Sequence, residues 1–430
     1  MKISCFLCNM YGKKLKMEKI IEIRNKIEMK WEAISYEKKC DLSEKIFLCA
    51  LSVWIIYAFN WITMFHIQWP EHLYFYIQVF VGMAVLFRYT VLSSENIDAL
   101  VLALIVLAVF VISKDRNGTG LLLETGLFII GARKIDYKKI LKVYLAIEVP
   151  LTLITLMAAR LGIIENLVYH RGEQVRMTFG FVYPTNFVSH LMFMIAAWIV
   201  IREVKCTFFE LGVISILVVF LDKYCDARCG EICIILIILC TVYLKCRMYF
   251  AEKKGKKYKT PRFLNFLCLC VPFFGAGIMI LLSRFYDPSK EWMGKLNSIT
   301  STRLSLGKKT FDLYDVKLWG QYIEMHGGGG TTDPVPDYFF IDCSYLNILM
   351  RFGFAVFVIV MLLLSIMIIK SFNKPYLMSM IVVICIHSVI EQHLFELHYN
   401  IFFMLAFANF NVQDNRKKAF IKNKNNNGLE

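Results

Sequence analysis

Apolar runs of about 17–25 residues recur along nearly the whole chain, each long enough to cross a hydrocarbon core of roughly 30 Å. Candidate spans fall at 45–66, 73–91, 97–113, 119–133, 140–161, 186–202, 208–222, 230–248, 263–283, 345–370, 376–391 and 396–411. The composition agrees: 57% of residues are hydrophobic and only 19% charged, with mean hydropathy +0.54. That is more apolar than a water-soluble core and surface can accommodate. The expected fold class is an all-α polytopic membrane protein with about twelve transmembrane helices. Span 119–133 is short enough to be re-entrant or strongly buried by neighbours. No cleavable signal peptide is expected, because no small-residue cleavage site follows a short apolar core. The hydropathy profile has no internal repeat of the kind that marks many transporters.

Charge distribution orients the chain. The formal net charge is +15, yet 24 of the 49 Lys/Arg lie in residues 1–45, 245–262 and 411–430. Concentration in hydrophilic segments on one side is the positive-inside signature. It makes anionic lipid headgroups, not nucleic acid, the partner of those segments. Twelve spans place both termini in the cytoplasm, together with the basic connectors ARKIDYKK, REVK and KSFNK. The expected organisation is a basic amphipathic cytoplasmic segment over 1–44, a membrane domain over 45–411 and a basic cytoplasmic tail over 412–430. No cofactor is implied, and no metal. Most of the 14 cysteines sit inside apolar helices as small hydrophobes, and the pairs Cys5/Cys8 and Cys225/Cys229 lack the second half of a zinc site.

Two connectors stand out on the outer side, about 162–186 and 284–344. The longer carries 7 Lys/Arg and 8 Asp/Glu, and its aromatic content favours an ordered, packed loop. It closes with HGGGGTTDPVPDYFFIDCSYLNILMRFGF, in which glycines 327–330 allow tight turns and close approach of backbone to a ligand. Asp342 then directly precedes an apolar run. It is either the N-cap of that helix or a carboxylate on the outer rim able to take a proton from a hydroxyl nucleophile.

The shorter connector reads RGEQVRMTFGFVYPTNFVSH. Asn186 there is explained as an N-cap. Arg176, near the membrane boundary, is either a headgroup-snorkelling cation or a ligand contact. Arg228 lies at the mouth of a later span, with Asp226 and Glu231 as local partners. Arg303 sits in a Ser/Thr-rich stretch expected to be exposed. Three outward arginines converging on one cavity would suit a diphosphate, since guanidinium stays charged and forks onto phosphate oxygens. His387 and Glu391 are four apart near the outer end of the penultimate span, followed by His393 and Glu396. They are a structural hydrogen-bonding pair or a ligand contact.

The order RMTFGFVYPTN, a lone Arg at a span mouth, SITSTRLSL, LWGQYIEM and FIDCSYLNILMRFG resembles polysaccharide polymerases of the Wzy type. The likeness is closest to those of Gram-positive capsule and exopolysaccharide clusters and spans about residues 45–411. The resemblance implies a GT-C-like many-helix fold with a large extracytoplasmic loop, in the cell membrane. It implies an inverting, metal-independent glycosyltransferase whose donor is a growing glycan on undecaprenyl diphosphate. The acceptor would be a hydroxyl of the next lipid-linked repeat unit. On that likeness Arg176 and Arg228, with Arg303 as a third, hold diphosphate, Asp342 is the base where the related ligases carry a His, and Tyr345 places the acceptor. A chain-length co-polymerase is a further partner of this class. An O-antigen-type ligase would use the same residues. A lipid-linked oligosaccharide flippase is the alternative from another class; it predicts charges near the membrane midplane and short outer loops.

Overall fold

In the computed structural model, which describes residues 32, 34–92 and 97–410, most helix starts follow from the local sequence. Ser35 accepts from the Lys38 amide to open α1 (Tyr36–Phe59). Asp136 accepts from Lys138 at 3.0 Å to open α5 (Tyr137–Arg160). Thr207 and Glu210 form a reciprocal capping box for α7 (Phe208–Tyr224), each side chain meeting the other's backbone N–H. Pro184, with its φ preset, is the first residue of α6 (Pro184–Arg202). Asn186 therefore lies inside the first turn of α6 and caps nothing; the N-cap is Tyr183, without a side-chain bond.

The remaining helices among the described residues are α2 (Leu73–Leu92), α3 (Ile97–Asn117), α4 (Leu121–Gly131), α8 (Arg228–Lys253), α9 (Arg262–Arg284), α10 (Glu291–Ile299), α11 (Arg303–Leu313), α12 (Ser344–Asn347), α13 (Phe354–Lys370) and α14 (Pro375–His387). Helices α1, α2, α5, α6, α8 and α9 are each long and apolar enough to cross a membrane. The chain is thus an all-α membrane protein, with one small hairpin, β1 (Val168–Arg171) paired antiparallel to β2 (Gln174–Met177). Of the expected segment over 1–44, residues 1–31 and 33 lie outside the described residues, while 36–44 already belong to α1; Cys5, Cys8 and the tail over 412–430 also lie outside.

Aromatic and aliphatic side chains fill the bundle, among them Trp54, Phe128, Tyr144, Phe193 and Phe395, all essentially inaccessible. Some polar groups in this core are tied to backbone. Arg88 of α2 donates to Gly131 O at 2.9 Å and Arg133 O at 2.6 Å, satisfying carbonyls left over at the end of α4. With 11 residues, α4 is only about 16 Å long and is buried by its neighbours, including α1, α2 and α3.

The last expected span, 396–411, is not an α-helix. After α14 the chain has no helix until a 3₁₀ turn at Ile401–Phe407, although its residues are mostly buried. It ends where Asn409 N donates to Ile135 O at 2.7 Å, beside the start of α5. Residues 388–409 thus run from one end of the bundle to the other with no α-helix and only that 3₁₀ segment. Such backbone is tolerated at membrane depth only where protein surrounds it. Here helix side chains serve its carbonyls: Thr125 donates to Phe395 O, Tyr144 to Tyr399 O, and Lys370 to Ala406 O and Ala408 O.

The long connector holds α10 and α11 and then returns in extended form to the start of α13. There Gly320 and Gly353, both at positive φ, meet backbone to backbone. A Cβ on Gly353 would fall on the Gly320 amide nitrogen, so only glycine lets LWGQ dock against MRFG. Gln321 N donates to Arg351 O at 3.0 Å across this contact. A π-helical turn at Ile348–Phe352 joins α12 to α13.

Candidate functional site

The connector, the hairpin and the end of α14 together enclose a polar cavity of about 390 Å³. Arg171 and Arg176 enter from the hairpin, Thr185 and Asn186 from the start of α6, and Arg303 from the start of α11. Glycines 327–329 form part of the wall, held by Tyr169 Oη donating to Gly328 O at 2.9 Å and Gly330 N donating to Val182 O at 2.8 Å. Their missing side chains leave backbone facing the cavity.

One side of the cavity is acidic. Arg303 Nη2 lies 3.0 Å from Glu391 Oε1 and 3.7 Å from Asp342 Oδ2. Its Nε donates to Ile390 O at 3.1 Å, and Nη1 to Thr300 O and Ser301 O. Ser301 and Thr302, both at positive φ, make the turn that aims this arginine inward. The Arg303 side chain is only 12% exposed, which corrects the expectation of an exposed position. Burial alone would depress its pKa, but Glu391 and then Asp342 reverse that and raise it. Burial, with Glu391 adding to it, pushes Asp342 up to about 6, although Arg303 and His393 pull the other way. Asp342 does not cap α12: the N-cap is Cys343, with no side-chain bond. Its carboxylate instead faces Arg303 and the cavity. Burial and the Asp342 charge raise the Tyr338 phenol, which stays a neutral donor on the same wall.

The other side is basic. Arg176 is buried, not snorkelling; Nε donates to Cys225 O at 2.8 Å, the guanidinium lies over the Tyr183 ring, and Nη2 has no partner. Arg171 and Arg228 both bind Asp226, each at 3.0 Å. Glu231 instead accepts from Ala227 N at 2.7 Å. Burial, and then the Arg176 and Arg228 charges, push the Arg171 pKa down, with Asp226 opposing. Arg171 and Arg228 share Asp226, Arg176 lines the same cavity as Arg171, and the unpartnered buried N–H on Arg176 points to an anion as ligand.

A second cavity of about 290 Å³ adjoins the first through Arg171, Thr185, Ser301, Arg303 and Glu391. It is otherwise lined by Ile232, Cys233, Ile299, Ile386 and Val389, so the charged site opens onto an apolar pocket beside α8 and α14. Arg228 belongs to this pocket, with its side chain 62% exposed.

Of the residues singled out in the sequence, Arg176, Arg303, Asp342 and Glu391 come together on the first cavity and Arg228 reaches the second. Two do not belong. Tyr345 is fully buried, its hydroxyl donating to Cys385 O at 2.9 Å, because α12 turns that face into the core. His387 is also fully buried, 3.1 Å from Ser189 Oγ, because the helix ends there and only Glu391 emerges. Arg171, which the sequence reading passed over, enters through hairpin pairing that no local signal marked. Among the described residues no three His, Cys, Asp or Glu side chains meet as a metal centre would need, and Cys225 and Cys229 are free thiols.

Fold and site together define an all-α membrane protein with a charge-divided cavity at one end of its bundle. No family model matches the chain, and no curated protein or solved structure does either.

Proposed function

We propose that this protein is a polysaccharide polymerase. It moves a growing glycan from undecaprenyl diphosphate to a lipid-linked repeat unit on the outer face of the cell membrane. The observation that carries the reading is the division of one cavity into a basic side and an acidic side that contains Asp342. A diphosphate leaving group gains negative charge as its bond to the sugar breaks, and fixed guanidinium groups stabilise that charge. Arg176 and Arg171 stand there, with Arg228 at the neighbouring apolar pocket that suits the first isoprene units.

On the acidic side an acceptor hydroxyl gives its proton to Asp342 as its oxygen bonds the anomeric carbon. Attack from the face opposite the diphosphate inverts that carbon. A carboxyl raised to about 6 is a better base than an ordinary aspartate and is still ionised at neutral pH. Arg303 and Glu391 position it. In this reading the cavity end is extracytoplasmic and both termini are cytoplasmic, with membrane lipids and a co-polymerase as further partners. A ligase is the same chemistry with another acceptor.

The buried Glu148–His190 pair within the helices favours a second reading, a lipid-linked oligosaccharide flippase. Glycan length in a deletion strain complemented with wild type, Asp342→Asn or Arg176→Ala tests the proposal, with membrane levels matched. Single repeats on the outer surface with Asp342→Asn support it. Full-length polymer from that variant removes Asp342 as base, and repeats trapped in the inner leaflet of the deletion strain favour the flippase.

A further inference from the structure

The bundle core carries a line of titratable side chains that glycosyl transfer does not use. Glu148 of α5 and His190 of α6 are fully buried, with Glu148 Oε2 2.9 Å from His190 Nε2. The contact is misaligned for a hydrogen bond, and neither carboxylate oxygen nor either ring nitrogen has another partner. Tyr399 stands edge-on to His190 at 5.8 Å between ring centroids and stacks on His393 at 3.9 Å. His393 Nδ1 lies 2.7 Å from Glu396 Oε2, its Nε2 is unpartnered, and the residue lines the charged cavity.

The groups facing this line from other elements can be named. Tyr144 of α5 donates to Tyr399 O, and His387 of α14 stacks at 6.0 Å from His393 while contacting Ser189 of α6. His398 lies 4.0 Å from Glu396, whose carboxylate also feels Arg351. Beyond Tyr144 the neighbouring Leu141 and Ile140 are fully buried and apolar, and the line meets the charged cavity at His393.

A buried polar atom without a partner costs about 1–3 kcal/mol. Here Glu148 Oε1, His190 Nδ1, His393 Nε2 and the Tyr399 hydroxyl are all of this kind. Such groups take buried water as their partner, and chains of His, Glu and Tyr joined by water pass protons. The irregular stretch 388–400 is what makes the line continuous, because it places His393 and Tyr399 on successive turns of unhelical backbone.

We propose that Glu148 and His190 form a proton-binding site in the membrane core, loaded from the charged cavity through His393 and Tyr399. A hydronium at the cavity becomes water as its proton passes inward, and one proton is held between the carboxyl and the imidazole. The site does not depend on the polymerase reading, and a proton-coupled carrier could use it equally.

Infrared spectroscopy of the full chain in lipid bilayers, transferred from H₂O to D₂O, tests this at a pH where Asp342 is ionised. The wild type should show a deuterium-sensitive carboxyl or imidazolium feature that Glu148→Gln and His190→Gln each remove. His393→Leu and Tyr399→Phe should keep that feature and slow its exchange by about a hundredfold, the low end for loss of a positioned proton-transfer group. A spectrum unchanged in both pair variants overturns the site. Exchange as fast as wild type in both relay variants overturns the route. If the pair variants do not reach the membrane, Tyr399→Phe alone, which removes one oxygen, still decides the route.

Discussion

Replacing Arg303 with Met removes the one cation shared by two buried carboxylates. At an effective dielectric of about 20, the contacts at 3.0 Å and 3.7 Å correspond to about 5.5 and 4.5 kcal/mol of attraction. Most of that is offset by the desolvation of three charges and by repulsion between the carboxylates. What remains when one partner of a buried pair is removed is about 3–5 kcal/mol of destabilisation. The carbonyls of Ile390, Thr300 and Ser301 also lose their donor. One kcal/mol moves the Tm of a 150–250-residue protein by roughly 2–4 °C, and about half that in a chain this long, so a fall of roughly 4–8 °C is expected. Thermal melting of purified protein in detergent, followed by size-exclusion recovery, measures it. Arg303→Met/Glu391→Gln should recover part of the loss, with a coupling of about 1–3 kcal/mol, because one of the two uncompensated carboxylates is gone. A single variant that melts with the wild type, and that adds independently to Glu391→Gln, would refute the buried triad.

Two further outcomes follow from the same structure. With Asp342 at about 6, glycan transfer by purified protein should fall about tenfold per pH unit below that value and level off above it. The stability effect has the opposite sense: a carboxyl raised above its ordinary range loses stability as pH climbs from about 4 to about 6, so Asp342→Asn should gain up to roughly 3 kcal/mol at neutral pH while losing activity. A variant that lost both would make Asp342 structural. Gly353→Ala should abolish accumulation in the membrane, because its φ of 96° and the Gly320 backbone leave no room for a Cβ. Wild-type levels of that variant on an immunoblot would show that the two loops do not meet as described.

The sequence by itself determined the class of this protein. Long apolar runs report the solvent each segment needs, and that information is local, so α2, α5, α6, α8 and α9 were legible within about five residues, whereas α1 starts nine residues before the expected span. The rim of the cavity was legible in part: Asp342 and Arg176 stood out as candidate ligand contacts, each beside a structural alternative that only the fold removed. Hydropathy failed at 396–411, where the ten residues from Ile401 to Phe410, nine of them apolar, would make a helix only about 15 Å long. That stretch crosses as irregular chain because Thr125, Tyr144 and Lys370, distant in sequence, serve its carbonyls. Tertiary structure alone decided that Arg303 is enclosed by two acids 39 and 88 positions away, that Tyr345 and His387 turn into the core, and that Arg171 joins the site. Burial and charge pairing are properties of whichever segments pack together, and no window of the chain contains both partners.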